Sequence, residues 1–109
     1  MEYIKKLIAS WEIKYGQISI TGQEYYKAIN LFSKYIGRTF TIQTYKGEFK
    51  NKHFLHEDYK NRKALRLACS PFFSKLNEVD TLYLYPINEY DICISNKEPN
   101  EKEKVEFIV

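Results

Sequence analysis

Glycine and proline are scarce in this chain, four and three in 109 residues, which excludes collagen-like and linker-like sequences. Cysteine and histidine number two each. The cysteines, Cys69 and Cys93, stand singly without CxxC spacing, and a chain of this length folds without a covalent staple. They are expected as two buried thiols of a cytoplasmic protein, a single disulfide being the alternative. No stretch approaches 18 uncharged apolar residues, so no membrane-spanning helix is expected. The first ten residues carry Glu2 and no apolar run of signal-peptide length. Neither sign of charge dominates: 17 Lys+Arg face 14 Asp+Glu. A strongly acidic DNA mimic is therefore not expected.

Catalytic signatures are missing as well. There is no P-loop, no GxGxxG and no clustered pair of carboxylates. Neither cysteine has a flanking motif for nucleophilic catalysis, and Ser70-Pro71 is better explained as a helix start. His53 and His56, with Glu57 and Asp58 following, lack the x3–x5 spacing usual for zinc-binding histidines. No metal, cofactor or small-molecule substrate is expected. A metal-dependent ββα nuclease, using His53 or His56 with Asp58 and Asn61, is a runner-up without supporting ligand spacing.

What is present is aromatic. Ten Tyr, seven Phe and one Trp make 17% of the chain, with hydrophobic residues at 44% and charged at 28%. That is enough apolar surface for one globular domain over residues 1–109. Lysine outnumbers arginine 14 to 3, and residues with AT-rich codons abound. The composition suits a low-GC bacterium, or a phage or mobile element of one.

Periodicity gives an α+β expectation: two or three helices packed on a mostly antiparallel sheet. Residues 2–10 suggest a short helix, with Tyr3, Ile4, Leu7, Ile8 and Trp11 at helical spacing. Ile13, Tyr15, Ile18 and Ile20 suggest one or two strands. Thr21 and Glu24 form a capping-box signature for a helix that Gly37 ends. That helix would bury Tyr25, Ala28, Ile29, Phe32, Tyr35 and Ile36. Residues 39–45 and 48–55 suggest a hairpin around Lys46-Gly47, and 58–69 a helix. Residues 81–86 and 90–95 suggest a second hairpin. After a charged loop, 105–109 would make a last strand.

Charge is uneven along the chain. Residues 1–80 carry 14 basic and 8 acidic side chains, whereas residues 81–109 carry 3 and 6. A basic hairpin (Lys46, Lys50, Lys52) and a basic helix (Lys60, Arg62, Lys63, Arg66) could contact phosphates, with Tyr45 or Tyr59 stacking on bases. A solvated lysine-rich surface explains the same residues, since the pI near 8.8 is below that of dedicated nucleic-acid domains. Tyr83 and Tyr85 share a strand face opposite Leu82 and Leu84, and would be exposed if the leucines are core. The last residues, among them Phe107 and Val109, are apolar and need a cover. Both features suggest protein contact. The expectation is a non-enzymatic accessory protein docking on a larger, nucleic-acid-processing protein, as a replication accessory or an anti-defence inhibitor. The alternative is a stand-alone, sequence-nonspecific binder of DNA or RNA.

Overall fold

The computed structural model describes residues 2–99. Among them are eight strands and three helices: β1 (Ile4–Leu7), α1 (Ser10–Tyr15), β2 (Gln17–Ile20), α2 (Gly22–Leu31), β3 (Phe40–Thr44), β4 (Gly47–Lys52), β5 (Phe54–Tyr59), β6 (Arg62–Ala68), α3 (Ser70–Phe73), β7 (Thr81–Pro86) and β8 (Asp91–Ser95). The architecture is α+β. One sheet has the strand order β1-β7-β8-β3-β4 and the other β2-β6-β5. All pairings are antiparallel except β3 with β8.

The core gathers Ile4, Leu82, Leu84, Ile92, Ile94 and Ile42 from the large sheet and Ile18, Ile20, Leu65 and Leu67 from the small one. Helix α2 contributes Tyr25 and Ala28, with Phe32 and Tyr35 following in the turns after it. A chain of rings runs through the middle: Phe32 lies 5.2 Å from Phe54, Phe54 5.1 Å from Phe40, and Phe40 5.7 Å from Tyr35. The first two pairs are tilted and the third is edge-on, so no ring pair is a face-to-face sandwich.

Several expectations need correction. Residues 2–10 do not form a helix: Ile4–Leu7 pair with β7 as an edge strand. Ile13 and Tyr15 are not on a strand but in α1, which ends at Gly16 in the left-handed region, φ +65°. Thr21 does cap α2, but its side chain makes no capping hydrogen bond. The helix ends at Leu31, earlier than Gly37 suggested. The return strand breaks at His53, where the chain leaves the large sheet (β4) and enters the small one (β5).

The largest correction concerns 58–69. This segment is not a helix but the end of β5, a turn at Lys60-Asn61, and β6. Ala, Leu, Lys and Arg all favour helix locally, but the small sheet needs a central strand. Leu65, Leu67 and Cys69 alternate with Arg66 and Ala68, and all three are buried. The period of two wins because it seals the core. Leu67, which a helix would have placed on the basic arc, is instead fully buried.

The final expected strand, with Phe107 and Val109, lies outside the described residues. Among the described residues, no helix is long and apolar enough to cross a membrane.

Candidate functional site

The basic residues occupy two consecutive hairpins rather than a hairpin and a helix. Lys46 sits in the β3–β4 turn, where Thr44 Oγ1 accepts its backbone N–H at 3.0 Å and donates to the Gly47 carbonyl at 2.8 Å. Its ammonium lies 5.8 Å from the Tyr45 ring. Tyr45 itself is half-buried and edge-on to Phe72 at 5.5 Å, and burial raises its hydroxyl pKa. It is therefore a packing residue, not an open stacking platform. Lys50 and Lys52 flank Asn51, which has φ +60°. The β3–β4 register shifts at this point, Phe40 standing opposite Lys52 but Ile42 opposite Phe49. Lys50 is exposed and Lys52 half-buried, close enough for its charge to oppose the burial that raises the Cys69 thiol pKa.

On the β5–β6 hairpin, register sorts the side chains onto two faces. Leu55 is opposite Arg66, Glu57 opposite Ala64 and Tyr59 opposite Arg62 on the outer face. Phe54 with Leu67, His56 with Leu65 and Asp58 with Lys63 take the inner face. Both arginines converge on one carboxylate: Arg62 Nε is 3.1 Å from Glu57 Oε2, and Arg66 Nε donates to Oε1. Ala64, directly across from Glu57, is 1% exposed beneath this fork.

The inner face carries a second pair. Lys63 donates to Asp58, and this hydrogen bond with the attendant charge holds the Asp58 carboxyl below its usual range. The same bond raises the Lys63 ammonium pKa. Tyr25 Oη lies 2.7 Å from His56 Nε2, tying α2 to β5. Burial is the main cause raising the Tyr25 hydroxyl pKa, with Asp58 adding to it. Three of the seven predicted phosphate contacts, Arg62, Lys63 and Arg66, are thus held by carboxylates. Lys60, in the turn, is exposed. No single basic groove results, because the cations divide among two faces and two hairpin tips.

The nuclease arrangement does not form. Residues 58–69 supply no helix to hold ligands, and His53 lies in the link between sheets while His56 bonds Tyr25. Among the described residues no group of three His, Cys, Asp or Glu side chains could hold a metal.

The Tyr83/Tyr85 face also differs from expectation. The two residues do share a face opposite the buried Leu82 and Leu84. But Tyr85 is only 1% exposed, and Tyr83 is half-buried with its ring edge-on to Tyr3 at 5.5 Å. Tyr85 offers no open contact surface. Cys93, its cross-strand neighbour, is fully buried, and Cys69 is likewise a buried thiol.

Exposed apolar groups occur elsewhere. Tyr59 is 66% and Leu55 45% exposed, on either side of the Arg62–Glu57–Arg66 fork on the outer face of the small sheet. Sequence reasoning missed Leu55 because it lay inside an expected return strand. The signal that could have found it was Leu55-x-Glu57-x-Tyr59 alternating out of phase with Phe54. A groove of about 680 Å³ between residues 30–35 and the β7–β8 turn includes none of the predicted site residues. Comparison with known proteins yields no matching family model and no curated relative.

Proposed function

We propose that this chain is a non-enzymatic accessory protein that docks on a larger protein through the outer face of its three-stranded sheet. The observation that carries this reading is the pairing of exposed Tyr59 and Leu55 around the Arg62–Glu57–Arg66 fork. Tyr and Arg are the side chains most often dominant in protein interfaces. The fork gathers both guanidinium groups on one carboxylate beside Tyr59 and Leu55, with Arg66 the more buried of the two. Their charge is half-neutralised by Glu57, which favours a mixed polar-apolar protein surface over a bare phosphate backbone. A partner that handles nucleic acid, in a phage or mobile-element replication or anti-defence setting, is the part of this reading that rests on composition alone, 14 Lys against 3 Arg.

A second reading, direct binding to DNA or RNA, is favoured by one observation. Lys46, Lys50, Lys52 and Lys60 have no ion-pair partner among the described residues. Binding through them would be sequence-nonspecific and steeply salt-dependent.

The test places a photocrosslinking residue at Tyr59, and at Tyr90 as an exposed control, in cells of the source organism. The protein captured from Tyr59 alone is then purified and titrated with wild type and with Leu55→Ala/Tyr59→Ala. At about 2 kcal/mol for each anchor, the double variant should bind roughly a thousandfold more weakly. Unchanged affinity overturns the assignment of this face. Salt-sensitive DNA binding by the wild type, lost in Lys50→Glu/Lys52→Glu, with no protein captured, would establish the second reading instead.

A further inference from the structure

The two sheets leave four strand edges, and three of them are blunted. Edge strand β1 is four residues long and carries Lys5 and Lys6. The β2 edge is occupied by α1, since Glu12 Oε2 accepts the Ser19 N–H at 2.9 Å. The β4 edge is kinked at Asn51 and flanked by Lys50 and Lys52. Such short, charged, covered or bulged edges are what native proteins use to avoid pairing with other chains.

Among the described residues the β5 edge is neither short, covered nor bulged, and its charges are paired within its own hairpin. It is six residues long, without Pro, Gly or bulge, and both its acidic groups are already neutralised by Arg62, Arg66 and Lys63. Register shows which backbone groups it offers. Tyr59 and Arg62 flank a two-residue turn and are a hydrogen-bonded pair, as such turns require. Glu57 with Ala64 and Leu55 with Arg66 follow by alternation. The Ser19 N–H agrees with this, because it turns to Glu12 rather than to its opposite number Arg66. The N–H and C=O groups of His56 and Asp58 therefore point away from β6, and no described backbone group bonds them.

We infer that two copies of this chain pair antiparallel through β5, around a two-fold axis at Glu57, to make one continuous six-stranded sheet. This register sets the outward-pointing His56 opposite Asp58 of the second copy, and Asp58 opposite its His56, giving about four main-chain hydrogen bonds at the centre. Tyr25 Oη and His56 Nε2 share one hydrogen bond, which leaves His56 Nδ1 to face the Asp58 oxygen that Lys63 leaves unused, a cross-strand hydrogen bond when Nδ1 carries the ring proton. On the outer face, Leu55 meets Tyr59 of the second copy at both ends, a favourable aliphatic–aromatic cross-strand pair. The one like-charge contact, Glu57 against Glu57, sits between two arginine forks that neutralise it. Pairing leaves both outer faces open and joins their Leu55 and Tyr59 side chains into one patch. It does not depend on whether that face docks another protein.

Sedimentation velocity on the full chain, over a range of concentrations reaching the high micromolar, should show a monomer–dimer equilibrium. Leu55→Lys, at a position already exposed, should keep the circular dichroism and unfolding midpoint but remain monomeric throughout. Register is read by mild oxidation of cysteine variants, the native thiols being buried. Glu57→Cys should form a disulfide-linked dimer at least tenfold faster than Leu55→Cys alone, and a mixture of Leu55→Cys and Tyr59→Cys chains should cross-link to each other. A wild type that stays monomeric, a dimer unaffected by Leu55→Lys, or Leu55→Cys self-linking as fast as Glu57→Cys would each overturn the proposal. If Glu57→Cys does not fold, the mixed Leu55→Cys and Tyr59→Cys pair decides the register.

Discussion

Glu12 is the side chain on which most of the local structure near the N-terminus depends. It is 0% exposed, and its carboxylate accepts the Ala9 N–H at 2.9 Å and the Ser19 N–H at 2.9 Å. Lys6 Nζ completes the set at 3.0 Å. One side chain thus caps α1 from its third position, closes the β2 edge and pairs a lysine on β1. Glu12→Ala would strand two backbone donors and one ammonium at once. Each hydrogen bond to a charged group contributes about 1.5–3 kcal/mol, and removing one partner of a buried ion pair costs about 3–5 kcal/mol. The two figures describe overlapping losses, so the expected destabilisation is about 4 kcal/mol and not their sum. Glu12→Gln keeps the shape and one acceptor but turns an amide N–H₂ toward a donor, and should cost about 2 kcal/mol. Against a total stability of roughly 5–15 kcal/mol for a domain of this kind, the alanine variant would lower Tm by on the order of 20 °C. Urea denaturation followed by circular dichroism, with matched m-values, measures both variants. A loss below about 1 kcal/mol in Glu12→Ala would refute the reasoning, since it would mean that water reaches these donors freely.

Two further outcomes follow from single contacts. At Gly16 an added Cβ would lie 2.5 Å from Ser70 Oγ and 2.8 Å from Ser70 Cα, with φ at +65°, so Gly16→Ala should cost about 2–4 kcal/mol; Gly22→Ala, with similar φ but nothing within 4 Å, should cost only about 1 kcal/mol, and equal losses in urea melts would show that crowding against α3 is irrelevant. The Asp58 carboxyl is held below its usual range by the Lys63 hydrogen bond, so its contribution is present above the unfolded-state pKa of about 4 and is lost as pH falls through the lower folded value. Urea midpoints of wild type and Asp58→Asn should therefore differ slightly at neutral pH, less so in high salt, and converge in acid; a gap that widens toward low pH would contradict the pairing.

The partner-docking reading and the β5 pairing concern the same strand, β5, whose outer face carries the exposed Leu55 and Tyr59 and whose edge offers its backbone. On the inner face of the small sheet Phe54, Leu65 and Leu67 are buried, while His56, Asp58 and Lys63 toward the hairpin tip are exposed. On the outer face of the β5–β6 hairpin the Arg62–Glu57–Arg66 fork lies over Ala64.

Sequence alone determined the elements whose local signals agree with their surroundings. The 81–86 and 90–95 hairpin was legible because Leu82 and Leu84 alternate with Tyr83 and Tyr85 between turn residues. Helix α2 was legible from the spacing of Tyr25, Ala28 and Phe32, and α3 from Pro71 at a helix start. The α+β class followed from these alone. Only tertiary structure decided the segment 58–69, where helix-favouring residues are drawn into β6 because Leu65 and Leu67 must fill the gap between β2 and β5. It also decided which cations are held by carboxylates, since Glu57 reaches Arg66 only across a hairpin that local propensity does not encode. The burial of Tyr85 and the exposure of Leu55 and Tyr59 belong to the same class. Alternation tells which side chains share a face, but whether that face is covered depends on what the rest of the chain places over it.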